Sequence, residues 1–466
     1  MSFIIALLAL LGLIAAACGD DGESTTSDEQ GASEEESNDD GSGDEMTDDE
    51  TSGDGAASAD EDMGPRTLNV PADHATIQEA VDAAEPGDLV LIDEGVYNEA
   101  VIVQTDEIVI RGVDRNTVIL DGEHGEGMEN GVIVFSDGVA IENLTVRNYT
   151  KNGLFWTGDY GNDVFVEGYR ASYVTAHNNG QYGIYAFNAK NGQFDNSYAS
   201  GSDDASYYIG QCDECNALIY RSVAEYSQLG YSGTDSSEVI IAESEFANNS
   251  IGVVPSSADI HEFPPNVGNI YVGNYIHDNN NTEVPSGNSA YHIGLGSGIV
   301  LGGTIGTIVE RNLIVDNERI GVVIVDWLSA VLPGETDYPA QDNVIRDNVI
   351  SGSTLDSDIL LALDPSLGEG ARGNCAEGNT IGGGTTPTDI ETVIPCGSEV
   401  AGEFPPLLEL IDKFSNEFEP IDYKDAPVPD YTFEAMPDAA TAPPAPAVDV
   451  PMELDLDAID VPVPPE

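Results

Sequence analysis

The sequence predicts an all-β fold, a single-stranded right-handed parallel β-helix (solenoid) with an N-terminal capping helix. Similar short segments recur along the chain, among them IENLTVRN, VGNYIHDN and RDNVISGS, and such self-similarity is typical of solenoids. Apolar residues alternate within each segment, which is typical of strands. The 50 glycines suit a chain that turns often. Together these features predict coils of short strands stacked in one elongated body.

Polar residues recur in these segments with an offset of about five residues. The equivalent pairs are Ser222 and Ser227, Ser244 and Asn249, Asn274 and Asn279, and Asn312 and Asn317. Stacked amides and hydroxyls can hydrogen-bond one another and the backbone at inward turns. We therefore interpret these pairs as structural ladders.

The charge balance excludes one class of partner. The chain has 14 basic and 85 acidic residues, a formal net charge of −71. Such a charge repels nucleic acid, so no nucleic-acid partner is expected. The acidic surface fits either a salty habitat or binding of divalent cations. Ca²⁺ is the candidate cofactor, although no motif specifies a calcium site or identifies any other metal.

The N-terminal segment predicts export. An apolar run from Phe3 to Ala17 is followed by Cys18 and is too short for an ordinary membrane span. The sequence AAAC resembles the lipobox of bacterial lipoproteins, in which the cysteine is acylated. It departs from that pattern in having no basic residue before the run and Ala, not Leu, three positions before Cys18. The resemblance implies a signal peptide at 1–18, lipidation of Cys18, and a membrane-anchored protein at the bacterial cell surface or envelope.

Composition divides the rest of the chain into three parts. Residues 19–63 are rich in Asp, Glu, Ser and Gly, cannot bury a core, and predict a disordered acidic tether. Residues 64–400 carry the strand pattern and predict the β-helix domain. Residues 401–466 are acidic and Pro-rich and predict a C-terminal extension. Within this extension PPLLELIDKF predicts a short helix. We expect the extension to lie back along the solenoid, with Leu407, Leu408, Leu410 and Ile411 covering an apolar end of the stack.

The start of the body has a recognisable order of elements. The segment TLNVPADHATIQEAVDAAEPGD predicts a strand and then a helix around 77–84, with Asp73 as N-cap and Pro86-Gly87 ending it. This segment resembles the N-terminal cap of the pectin-lyase-like superfamily. Further along, GSDDASYYIGQCDEC from Gly201 resembles bacterial right-handed β-helix repeat proteins with PbH1-type repeats, and the resemblance runs from about Thr67 to Cys396. In place of the usual Gly-Ile, Ser206-Tyr207 predicts that the Tyr207 side chain points inward.

The cysteines other than Cys18 form an even set, as expected after export. We predict pairing of Cys212 with Cys215 and of Cys375 with Cys396. The CxxC spacing of the first pair also allows redox chemistry or a metal. However, no second CxxC and no His at finger-like spacing accompanies it.

The resemblance implies chemistry on polysaccharides, which pectin-lyase-like proteins cleave, epimerise or de-esterify. Asp203-Asp204 resembles the adjacent aspartates of polygalacturonases, but their Asn-Thr-Asp, Gly-His-Gly and Arg-Ile-Lys signatures are absent. Three insertions, at 259–267, 280–296 and 328–341, are expected to follow the same turn and rise on one face.

Those insertions supply the other candidate catalytic residues. His261, His277 and His292 lie in or beside them, near the carboxylates of Asp259, Glu262 and Asp278. Asp326 is a further loop carboxylate. If the histidines converge, they are acid–base or metal-ligand candidates, since imidazole titrates near neutral pH. The alternative is that they are unrelated surface residues.

An aromatic ladder suggests binding. The segments GLFWTG, GIYAF and SYYIG place Phe155, Tyr185 and Tyr208 at equivalent outward positions, a platform on which sugar rings could stack. The alternative is that these rings pack beneath a loop. Two functions therefore remain open: a surface solenoid that binds glycans or envelope components, and a polysaccharide-active enzyme (lyase, epimerase or glycoside hydrolase).

Overall fold

The computed structural model describes residues 64–354, 357–414, 418–429 and 432–464, with only the backbone of 411–414. The predicted signal peptide, the lipidation site Cys18 and the predicted tether at 19–63 lie outside these residues. Within the described part, no helix is both long and apolar enough to cross a membrane.

Three all-parallel sheets form the body, and the chain passes through them in the repeating order A, B, C. Sheet A consists of β1 (Thr67–Val70), β2 (Leu89–Ile92), β5 (Val109–Gly112), β8 (Val139–Glu142), β11 (Val166–Ser172), β14 (Ala189–Asp195), β17 (Ala217–Tyr220), β20 (Val239–Ala242), β23 (Ile270–Val272), β26 (Ile308–Glu310), β29 (Val344–Arg346) and β32 (Cys375–Glu377). Sheet B consists of β3 (Gly95–Tyr97), β6 (Val118–Asp121), β9 (Thr145–Arg147), β12 (Thr175–His177), β15 (Tyr198–Ser200), β18 (Val223–Glu225), β21 (Glu245–Ala247), β24 (Tyr275–His277), β27 (Leu313–Val315), β30 (Val349–Ser351) and β33 (Thr380–Ile381). Sheet C consists of β4 (Val101–Val103), β7 (Asn130–Val134), β10 (Asn152–Thr157), β13 (Tyr182–Phe187), β16 (Ala205–Gly210), β19 (Leu229–Thr234), β22 (Ile251–Ser256), β25 (Ser297–Gly302), β28 (Ile320–Val325), β31 (Ser357–Ala362) and β34 (Thr385–Thr386).

Each coil thus contributes one strand to each sheet, and the chain is a right-handed parallel β-helix, as the sequence predicts. Inward side chains from the three sheets fill a continuous core. Tyr207 is fully buried in that core, which confirms its inward orientation.

The N-terminal end of the core is covered by helix α1 (Ile77–Ala83), whose Ile77, Ala80 and Val81 are buried. The predicted N-cap was wrong. Thr76 caps α1, because its Oγ1 accepts a hydrogen bond from the Glu79 amide at 3.1 Å. The Asp73 carboxylate instead accepts bonds from the backbone and side chain of Asn69.

Two polar ladders line the turns on either side of sheet B. Between sheets A and B, the backbone amide of Asn274 donates to Asn312 Oδ1 at 2.9 Å, and the backbone amide of Asn312 donates to Asn348 Oδ1 at 2.9 Å. Between sheets B and C, the Asn249 amide donates to Asn279 Oδ1 at 3.2 Å. The three-residue strands of sheet B separate the two ladders, which explains the five-residue offset in the sequence.

Helix α2 (Ile390–Val393) closes the C-terminal end of the stack. Glu391 Oε1 accepts hydrogen bonds from the amide and the side chain of Asn379, the last residue of the A-to-B ladder, at 2.8 and 3.0 Å. Ile390 and Ile394 are buried in the core. A disulfide joins Cys375 of β32 to Cys396 beyond the helix.

The predicted helix in PPLLELIDKF is present as α3 (Leu407–Phe414), but its predicted place at the end of the stack was wrong. Leu407 and Leu410 pack against the outer side of sheet C with Val323 and Trp327. Leu408 is 46% exposed. The end of the core is already covered by α2, so the apolar residues of α3 are buried on the flank.

The segment 432–464, here called the strap, runs along the outside of the solenoid. Arg111 donates hydrogen bonds to the carbonyl oxygens of Ala439, Ala442 and Pro443. Arg311 donates to those of Leu456 and Ile459 at 2.7 and 2.8 Å. Arginines of the body therefore hold this acidic segment mainly by its main chain.

The ladders predict that removing one of their asparagines lowers the free energy of unfolding measurably. In Asn312→Ala, the Tyr271 carbonyl, the Asn274 amide and the Asn348 side chain lose a buried partner. We expect the free energy of unfolding to fall by about 3 kcal/mol, measured by urea denaturation. The control Asn98→Ala removes one bond from an exposed side chain and should cost about 0.5 kcal/mol. Equal losses in the two variants would contradict a special role for the ladder.

Candidate functional site on the outer face of sheet C

The predicted aromatic residues lie in one register column on the outer face of sheet C. Phe155 of β10 pairs with Tyr185 of β13, and Tyr185 pairs with Tyr208 of β16. The rings of Phe155 and Tyr185 are stacked with centroids 4.4 Å apart and planes 3° apart. Ser232 and Val254 continue the column, so the aromatic run ends there.

Tyr208 is not an exposed platform residue, and this part of the prediction was wrong. Its side chain is only 3% exposed because its ring lies over Gly210, which has no side chain. The rings of Tyr182 and Tyr185 pack against it at 4.9 and 5.0 Å. Phe155 and Tyr185 are half-buried.

Further rings extend the platform sideways. Phe187 follows Tyr185 on the same face of β13, with ring centroids 6.0 Å apart, and Tyr160 lies 5.6 Å from Phe187. Strand alternation in GIYAF could have identified Phe187, since residues two apart share a face. Tyr160 lies in a loop and had no such signal. We call Phe155, Tyr160, Tyr185 and Phe187 the aromatic strip.

The insertions stand on both sides of sheet C. Residues 259–267 and 328–341 follow strands of sheet C and lead to sheet A, whereas 280–296 follows sheet B and leads into sheet C. The prediction that all three follow the same turn was therefore wrong. The insertions form two walls, one at each end of the sheet C strands.

On the C-to-A wall, two turn residues hold the first insertion. The Ala258 amide donates to Asp235 Oδ1 at 2.6 Å, and the Glu262 amide donates to Gln211 Oε1 at 2.8 Å. These bonds place the imidazole of His261 edge-on to the Phe187 ring at 5.2 Å. His261 Nδ1 lies 3.9 Å from Asp235 Oδ2. No sequence pattern indicated Asp235 or Gln211, because they act only through the folded loop.

Burial changes the protonation of this pair. It raises the pKa of the Asp235 carboxyl to about 7 and lowers the pKa of the His261 imidazole to about 4. His261 is therefore uncharged at neutral pH. The Glu262 side chain is exposed at the rim of the wall.

Two other predicted carboxylates have structural partners. Asp259 accepts hydrogen bonds from the Glu335 amide and the Thr336 hydroxyl, both at 2.6 Å, and so joins two insertions. Asp326 is fully buried and forms a bidentate ion pair with Arg372 at 2.7 and 2.9 Å. Neither arrangement favours a catalytic role.

Asp203 and Asp204 lie on the opposite, B-to-C side. Tyr182 donates its hydroxyl to Asp204 Oδ2 at 3.1 Å. Burial is the main cause that raises the pKa of Asp203 to about 7 and that of Asp204 to about 6, and the neighbouring Asp422 carboxylate also raises that of Asp203. Both groups can therefore carry a proton near neutral pH.

The predicted catalytic residues do not come together. Asp204 precedes β16 and Asp235 follows β19, and each of these strands has six residues, which corresponds to about 20 Å. The pair Asp203 and Asp204 is thus separated from Asp259, His261 and Glu262 by the width of sheet C.

The three histidines also do not converge. His277 lies on sheet B, where its two ring nitrogens are 3.1 Å from Glu245 and 2.8 Å from Asp278. His292 lies in the B-to-C wall, where its Nε2 and the Ser286 hydroxyl share a hydrogen bond. Among the described residues, no group of three or more His, Cys, Asp or Glu side chains is placed to hold a metal ion. Cys212 and Cys215 form a buried disulfide.

No family model matches the sequence, and no curated protein matches it. Solved structures similar to it include the A-module of mannuronan C-5 epimerase AlgE6 from Azotobacter vinelandii (15% identity, TM-score 0.46, 66% of this chain and 90% of that chain), a GH136 lacto-N-biosidase from Eubacterium ramulus (13%, 0.43, 66% and 61%) and a mannuronic acid-specific family 6 polysaccharide lyase from human gut microbiota (13%, 0.43, 68% and 82%). The parallel β-helix of this chain is evident from its own three sheets.

The raised pKa of Asp235 predicts a pH-dependent stability. Its folded pKa is about 7, above the ordinary aspartate pKa of 3.8, so its contribution to stability is fully present below about pH 4 and is lost as the pH rises through 7. Asp235→Asn keeps the acceptor for the Ala258 amide and removes the charge. We expect it to raise the free energy of unfolding at pH 8 by about 2 to 4 kcal/mol, with little effect at pH 4.

Asp259→Asn is the matched control, because hydrogen bonds to the Asp259 carboxylate lower its pKa. The stability that these hydrogen bonds give the protein is present above the pKa of Asp259 in the unfolded chain, and it is lost as the pH falls. This variant should therefore be less stable than the wild type at pH 8. If Asp235→Asn behaves in the same way, the assigned environment of Asp235 is wrong.

Proposed function

We propose that this protein is an exported, lipid-anchored solenoid that binds an extended carbohydrate along the outer face of sheet C. The observation that carries the proposal is the aromatic strip. Four rings lie in a continuous row at ring-centroid distances of 4.4 to 6.0 Å, in which Phe155, Tyr185 and Phe187 are half-buried and Tyr160 is exposed. Aromatic faces are favourable surfaces for the apolar faces of sugar rings.

The geometry of the strip suits a polymer better than a single sugar. Successive coils are about 4.8 Å apart, so rings on neighbouring coils can each contact a different part of an extended chain. Several weak contacts on one polymer add to a useful affinity. The two walls limit the width of the face and leave its long direction, across the coils, open at the N-terminal end.

The proposed location of the protein is a separate part of the proposal. It depends on the apolar run followed by Cys18, which supports acylation and attachment at the cell surface or envelope. An acidic tether after Cys18 would hold the solenoid away from an anionic membrane, where polysaccharide is accessible.

The aromatic strip predicts a defined loss of binding. Phe155→Ala combined with Tyr185→Ala removes two stacked rings whose side chains are outside the core. We expect at least about tenfold weaker retention of the polysaccharide that the wild type binds. Affinity electrophoresis in gels containing neutral, acidic or amino polysaccharides measures this, with circular dichroism to verify folding.

Tyr275→Ala is the matched control, because Tyr275 is a half-buried outward ring on sheet B, stacked on His277 at 3.8 Å. It should leave retention unchanged. The proposal fails if the wild type is retained by no polysaccharide, or if the control weakens retention as much as the double variant.

A polysaccharide-active enzyme is the second candidate, favoured by the Asp203 and Asp204 pair. Their raised pKa values, about 7 and about 6, leave a proton available for a leaving group. In that case the wild type should release reducing ends, and Asp204→Asn should slow release by about a hundredfold. Asp347→Asn, an exposed site in an A-to-B turn, should keep full activity. No release from any polysaccharide by the wild type would remove a chain-cleaving enzyme, the form of this candidate that the carboxyl pair supports.

A further inference from the structure

The aromatic strip adjoins a cavity on the C-to-A side of the first coils. The loop after β10 forms a small hairpin in which Asp159 bridges to Val164, and it borders an open cavity of about 550 Å³. Three rings and three carboxylates line this cavity, those of Phe135, Tyr160, Phe165, Asp106, Asp137 and Asp159. Because Tyr160 also contacts Phe187 at 5.6 Å, a ligand on the strip can reach the cavity.

The rings of the cavity are unusually accessible. Phe135 is 48% exposed and Tyr160 is 43% exposed, although rings of this size are normally covered. The face of an aromatic ring carries partial negative charge and attracts cations. The protein itself uses this property, because Lys190 Nζ lies 4.6 Å from the centroid of the Phe165 ring. An ammonium group is thus compatible with this wall.

The charged residues of the cavity have one sign. Asp106, Asp137 and Asp159 are exposed carboxylates, and the lining residues include no base, although Lys190 contacts the lining ring of Phe165. Their hydrogen bonds fix their positions: the Asp137 amide donates to Asp106 Oδ1 at 3.0 Å and the Glu167 amide donates to Asp137 Oδ1 at 2.8 Å. An anionic sugar would be repelled here, and a neutral sugar would gain nothing from the charges.

We infer that the cavity binds the protonated amino group of an amino sugar, so that the carbohydrate class for this face is a cationic glycan. The inference rests on the proposed function, because it assigns a ligand class to the same face. Sugar rings stack on the aromatic strip. The ammonium group lies between the rings and carboxylates of the cavity, where cation–π and ionic attraction act together.

Two hexamers of identical linkage test the inference, one of glucosamine and one of N-acetylglucosamine. The titration is made at about pH 5.5, where the free amines of the glucosamine hexamer are protonated. Isothermal titration should show that the wild type binds the glucosamine hexamer at least about tenfold more tightly. Asp137→Asn combined with Asp159→Asn should reduce this preference to about twofold or less, with unchanged affinity for the acetylated hexamer.

The matched control is Asp342→Asn combined with Asp347→Asn. It changes the net charge equally at two exposed positions with φ of 54° and 55°, a conformation that Asn adopts readily. This control should keep the wild-type preference. If it loses the preference like the cavity variant, the effect is one of overall charge and the inference is wrong.

The remaining outcomes separate this inference from the proposed function. Equal affinity of the wild type for both hexamers overturns the inference, while the proposed function stands. A preference that survives in the cavity variant overturns the assignment to the cavity. If neither hexamer binds, the inference fails, and retention on other polysaccharides, with its dependence on Phe155 and Tyr185, decides the proposed function independently.

Discussion

The structure depends on satisfying the main chain at the turns of each coil. Three sheets pair their backbone groups laterally, but the turn residues between them point amides into the body, where water is excluded. Side chains of Asn and Ser provide the acceptors, one coil after another, from Ser222 through Asn274 to Asn348. The A-to-B ladder ends on Glu391 of α2, so the same bonds that hold the coils together also attach the terminal cap.

This solution leaves side chains on the outer faces free to differ. Ladder and core residues hold the backbone, and the outer face of sheet C therefore changes along the stack. At its C-terminal end the face is apolar and covered by α3 and the walls, with Val323 and Trp327 buried beneath Leu407. At its N-terminal end Phe155 and Tyr185 are only half-buried. One sheet thus provides both a packing surface and a candidate binding surface.

The few basic residues act mostly within the protein. Arg372 pairs with Asp326 inside the C-to-A wall, and Arg111 bridges Glu142 to the strap. Cations placed in such bonds do not neutralise the exposed carboxylates elsewhere. The acidic character of the cavity beside the aromatic strip follows from this distribution, since its lining contains carboxylates without a balancing base. Because the arginines are needed in stabilising bonds elsewhere, the carboxylates of the cavity remain available to select a ligand by its charge.

The sequence alone determined the local and periodic features of this protein. Repeats predicted the coils, the five-residue offset predicted the ladders, and alternation placed Phe155, Tyr185 and Tyr208 in one column, because these properties depend on neighbours within one or two coils. Tertiary structure decided the rest. It buried Tyr208 under Tyr182 and Tyr185, separated Asp204 from His261 by a strand length, and moved α3 from the end of the stack to its flank. Those outcomes depend on how long loops and the C-terminal segment pack across many coils, and packing of that kind leaves no period in the sequence.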